Sequence, residues 1–86
     1  MSHIVQETYS GWDITIRCSH DAGKVGHAPR YAAIAEAELQ AGENPDDWVD
    51  PRMQVMNTGG RNYPDGETCI GALLAEVRQL IDALRK

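Results

Sequence analysis

The sequence predicts an α+β fold: an antiparallel sheet of three to four strands, with one C-terminal amphipathic helix packed on one face. Three observations carry this. Residues 12–19 alternate strictly, with Trp12, Ile14, Ile16 and Cys18 on one side and Asp13, Thr15, Arg17 and Ser19 on the other. Such a period of two, rich in β-branched and aromatic residues, belongs to a half-buried strand. Between Ile70 and Leu84 the apolar residues instead recur at helical spacing. Stretches bearing Gly and Pro separate the periodic segments and mark turns and loops.

The first element is a hairpin over about 3–9 and 12–20. Val5, Glu7 and Tyr9 alternate with Ile4, Gln6 and Thr8, and Ser10-Gly11 supplies the turn, where Gly accepts positive φ. The segment "DAGKVGHAPR" reads as loop. "RYAAIAEAELQAG" fits two patterns. Its Ala, Glu and Leu content, with Pro29 before it and Gly42 after it, favours helix. Read as a strand, it sets Tyr31, Ala33, Ala35, Ala37 and Leu39 along one apolar face. "GENPDDWVDP" is an acidic, Pro-containing loop, and a short strand near 52–58 ends at a Gly-Gly turn. The closing helix, about 65–85, has Asp65 as N-cap and Glu67 in its first turn. Ile70, Leu73, Leu74, Val77, Leu80, Ile81 and Leu84 form its stripe, which is wider than a coiled-coil seam and therefore suited to a sheet.

The hairpin "YSGWDITIRC", the later "RYAAIAEAEL", the turn "GGRNYPDGE" and the ending "QLIDALRK" resemble a loose group of small bacterial proteins. These share a Tyr-x-Gly-Trp/Tyr-x-Ile hairpin, further strands and one C-terminal helix. The group has no assigned activity to carry over. The turn followed by Asp-Gly-Glu-Thr and an amphipathic helix is also similar to HicB-type antitoxin domains, although the chain lacks their Pro-Gly-Cys-type stretch. The first resemblance implies that residues 30–39 form a strand. The expected order is then β-β-β-β-α, with Trp12, Ile14, Ile16, Tyr31, Ala33, Ala35 and Val55 on the buried face.

The 86 residues suit one domain, 1–86, with a modest core. Phe is absent, so the core is mainly aliphatic. A core of this size favours self-association, so a homodimer is expected. The net charge of −5 disfavours nucleic acid and anionic membrane as partners, because both need a cationic surface. No apolar run approaches the ~20 residues of a membrane span. The N-terminal residues lack the pattern of an export signal, and a cytoplasmic location with reduced thiols is expected.

One stretch, "RCSHDAGKVGH", collects the residue types of catalytic and metal sites. Ser19-His20-Asp21 does not read as a triad, because successive strand residues point to opposite faces. Cys18 and His20 share a face, and with His27 and Cys69 they form a candidate Zn²⁺ ligand set. Structural zinc sites usually show paired ligands such as C-x2-C, and here only one close pair exists. The simpler expectation is Cys18 as a small buried hydrophobe, with His20 and His27 as solvated loop residues. The acidic run Glu43, Asp46, Asp47 and Asp50 lacks the spacing of a calcium loop. "NTGGRNYPDGE" carries no phosphate-loop pattern, and Asp65 and Glu67 repel an anion there.

No catalytic residues, cofactor or metal are therefore expected. The expected function is a non-enzymatic protein-interaction or regulatory module, acting through a sheet edge, the acidic loop or a dimer face on an unknown protein or a second copy. One alternative is a zinc protein using Cys18, His20, His27 and Cys69. Another is a small ligand binder or enzyme using His20 or His27, which requires a concave pocket.

Overall fold

A computed structural model describes residues 2–21, 30–59, 61 and 63–86, with backbone alone for Ser2, Asp21 and Arg30. Strands β1 (Ser2–Tyr9), β2 (Trp12–Asp21), β3 (Arg30–Leu39) and β4 (Gln54–Asn57) form one sheet in the order β1-β2-β3-β4, and helix α1 (Gly66–Leu84) follows. Every neighbouring pair is antiparallel. The α+β prediction holds, and residues 30–39 are a strand. Tertiary pairing overrides their helix propensity, because β3 is the central strand that joins β2 to β4.

Ser10 and Gly11 make the hairpin turn with φ of 50° and 88°. Positive φ at both central positions is the two-residue turn whose twist matches the flanking strands. The pairing then runs without a bulge from Tyr9↔Trp12 to Ser2↔Ser19. This register sets His3, Val5, Glu7 and Tyr9 on the same face as Trp12, Ile14, Ile16 and Cys18.

The core comprises Trp12, Ile14, Ile16 and Cys18 of β2, Ala33, Ala35 and Ala37 of β3, and Cys69, Leu73, Val77 and Ile81 of α1. The small Ala side chains of β3 let the helix approach the sheet closely, while the larger residues of β2 fill the space beside it. Tyr31 lies half-buried against the core. Val55, however, is 58% exposed, contrary to the expectation. It pairs with Glu36 on the open face, whereas Met56 pairs with Ala35 and packs inward. A shift of one residue exchanges the faces of a strand, and four residues carry too little alternation to set that parity. Thr58 carries the inward face onward: its N–H donates to the Ala33 carbonyl (3.1 Å), and its Oγ1 accepts from the Ala33 N–H (3.3 Å).

The helix begins as predicted. The Asp65 carboxylate accepts a hydrogen bond from the Thr68 N–H at 2.7 Å, satisfying an otherwise orphaned donor. Cys69 joins Leu73, Val77 and Ile81 on the buried line, and Ile70 and Leu74 sit beside it, half-buried. The acidic loop is less solvated than its composition suggests, because Trp48 is 2% exposed. Around it, the Val49 N–H donates to the Leu84 carbonyl (2.7 Å) and the Lys86 N–H to the Asp47 carbonyl (3.0 Å), so the loop and the chain end pair like two short strands. No helix among the described residues is long and apolar enough to cross a membrane.

Candidate functional site

Helix α1 packs over β2 and β3 and leaves β1 largely uncovered. Two polar contacts tie the Tyr9 end of β1 to the helix. The Tyr9 hydroxyl donates to Asp82 at 2.9 Å, and Arg78 donates to Glu7 at 2.8 Å. Donating this hydrogen bond to the Asp82 carboxylate favours the protonated Tyr9 hydroxyl and raises it above the ordinary tyrosine range. No comparable contact holds the His3 end among the described residues. Between this part of β1 and the helix lies a groove of about 670 Å³, bounded toward the tied end by Glu7.

The floor of the groove is His3 and Val5 of β1. Its wall is the side of α1 one step around from the buried line, with Glu67, Ile70 and Leu74. Gly66 and Gly71 leave that wall low, and a methyl group added at Gly71 would meet nothing within 4 Å. Cys18, His20 and Tyr31 close the inner end. The volume lies within the ~300–1,000 Å³ of small-molecule sites. The shape is an open groove rather than an enclosed pocket, as expected of a domain with one helix layer.

His20 departs from the expected solvated loop position. It lies on β2, paired with Tyr31, and its ring stacks on the Tyr31 ring at 4.6 Å. Its Nε2 is buried and has no hydrogen-bond partner among the described residues. Loop propensity gave no hint of this, because the hairpin of β2 and β3 extends past His20 to Asp21↔Arg30.

Cys18 and Cys69 do come together. The Cys18 sulfur lies beside the first turn of α1, 3.8 Å from where a Gly66 Cβ would stand, and the two thiols are near enough to influence each other. Burial, reinforced by the neighbouring Cys18 thiol, pushes the Cys69 thiol up to about 11. Both cysteines are free thiols, unreactive by burial. Of the candidate zinc ligands, His20 is turned onto Tyr31 and His27 lies outside the described residues. Among the described residues, no group of three or more His, Cys, Asp or Glu side chains is arranged to hold a metal ion.

Among the described residues, the opposite face of the sheet carries no helix. Ile4, Ile34 and Val55 are exposed there, around an Arg17–Glu36 ion pair of 2.9 Å. Both partners are solvated, so the pair adds little to stability.

No protein-family model matches this chain, and neither a curated protein nor a solved structure does.

Proposed function

We propose that the chain is a non-enzymatic protein-interaction module, working through the open edge of β1 and the groove beside it, and that a partner binds by adding a strand to the sheet. The observation that supports this is the contrast between the two sheet edges. β4 is short, as protected edges are. β1 runs from Ser2 to Tyr9 in unbroken register, with no Pro, no Lys and no bulge to blunt it. Such an edge is a template for a further strand. The groove lies alongside, where alternate side chains of an added strand can enter.

The register identifies the free peptide groups. A two-residue turn makes Tyr9↔Trp12 a hydrogen-bonded pair, and bonded pairs then recur at Glu7, Val5 and His3. The N–H and C=O groups of Ile4, Gln6 and Thr8 therefore point away from β2.

A photo-crosslinking residue placed at Gln6, in the cells that make the protein, tests this reading. An adduct with a protein is expected from Gln6, and none from Val55 on the open face. A clean result at both positions rejects it.

The groove itself favours a second reading, a small ligand that offers a hydrogen bond to His20 Nε2. Native mass spectrometry of the purified protein should then show a retained mass that His20→Ala loses. Absence of that mass from the wild type rejects this reading.

A further inference from the structure

We propose that the strand received by β1 is β1 of a second copy, paired antiparallel about a two-fold axis at Val5, and that the two grooves merge into one binding cleft between the helices. This rests on the edge-pairing reading and names its occupant.

Self-pairing must bring outward peptide groups to outward peptide groups. Ile4, Gln6 and Thr8 can therefore face only one another, and His3, Val5 and Glu7 likewise. Two registers pair most of the strand. Centred on Gln6, Glu7 faces Val5 of the second copy, and His3 faces Tyr9. Centred on Val5, His3 faces Glu7 of the second copy, twice by symmetry, Val5 faces Val5, and Ile4 faces Gln6. Only the second register sets the acid of each strand opposite an imidazole. Neither places like charges across from one another, which would oppose pairing. The edge is thus complementary to itself in hydrogen bonding, and each Glu7, which accepts from Arg78 of its own chain, meets an imidazole that can also donate to it. A foreign strand would need a matching donor to do as well.

The symmetry also explains the groove. A two-fold axis normal to the sheet leaves both helices on the same face. With strands ~4.8 Å apart and α1 over β2 and β3, each helix axis stands about 10 Å from the two-fold. The axes are then about 19 Å apart, and helices ~10 Å wide leave a cleft about 9 Å across. The paired β1 strands form its floor, and Ile70 and Leu74 of both copies line its walls. Each copy alone offers half of this cleft. Its width suits an extended chain or a flat apolar ligand.

Sedimentation velocity on the full chain, from low micromolar to millimolar, should show a monomer–dimer equilibrium. Gln6→Pro removes an outward N–H while sparing the inner ladder, so it should give a monomer with an unchanged far-ultraviolet spectrum. A second pair of variants does not depend on how proline is tolerated. V5C in glutathione buffer should run as a covalent dimer on a non-reducing gel, and Q6C should not. Three results overturn the proposal: a monomer at every concentration, a folded Gln6→Pro variant that still dimerises, or crosslinking through Q6C rather than V5C. The edge-pairing reading fails separately, if crosslinking from Gln6 yields no protein adduct at all. A monomer that crosslinks to a different protein rejects only the second copy.

Discussion

The ring of Trp48, from the acidic loop, meets the ring of Trp12, from β2, edge to face at 5.4 Å and 86°. The contact links a loop of high charge to the start of the central hairpin. The Arg85 guanidinium lies over the Trp48 ring, 4.9 Å from its centroid, and so joins the same cluster. Both indole N–H groups are buried without a hydrogen-bond partner among the described residues. Apolar packing must outweigh that loss, which makes the site sensitive to truncation.

Trp48→Ala should therefore destabilise the fold by about 3–5 kcal/mol, the cost of emptying a large aromatic site. Arg85→Ala, which removes only an exposed cation over the ring, should cost roughly 0.5–1 kcal/mol. Urea unfolding followed by Trp fluorescence measures both. Equal effects would mean that the loop is held by its charge and not by its ring.

The face assignment of β4 is open to the same measurement. Val55→Thr replaces an exposed residue on the open face and should change stability by less than about 0.5 kcal/mol. Leu73→Ala, at a fully buried position on the inner line of α1, should cost about 2–5 kcal/mol. A large loss at Val55 would show that the open face is covered in solution.

The hairpin turn is not optimised. Ser10 holds a φ of 50°, which Asn adopts more readily, and Asn-Gly is the preferred pair for this turn. Ser10→Asn should raise the melting temperature. Gly11→Ala should lower it by more, because φ of 88° strains an L side chain, and its methyl group would also push aside the flexible end of Glu43. A neutral Gly11→Ala would contradict the turn geometry.

Asp65 links the helix start to pH. The Thr68 N–H bonded to its carboxylate holds it below the usual aspartate range. A depressed folded-state value means that its contribution is present above the unfolded carboxyl range, near pH 3.9, and is lost as pH falls through the folded value. Asp65→Ala should lower the melting temperature at neutral pH. Its difference from wild type should shrink as pH falls from about 5 to about 2. A difference that is constant with pH would assign the effect to helix propensity alone.

Much of the fold was legible because β2 and α1 carry long, clean periodicities. Trp12, Ile14 and Ile16 reveal a period of two, and Leu73, Val77 and Ile81 a helical one. The hairpin turn and the Asp65 cap are local, so neighbouring residues suffice to specify them. Less could be read where the physics is non-local. The strand over 30–39 has helix-forming composition and becomes a strand only because β2 and β4 pair with both its edges. Nothing around Trp48 in the sequence signals that it packs on Trp12.

The candidate site follows the same division. The sequence by itself determined which residue types are available: two thiols, an imidazole on the Cys18 face, and a first strand without Lys or Pro. Only the tertiary structure decided their use. It brought Cys18 to Cys69, turned His20 onto Tyr31, and laid the helix over β2 and β3 so that β1 stayed open. Those outcomes depend on where a helix crosses a sheet, which is set by packing between residues far apart in the chain.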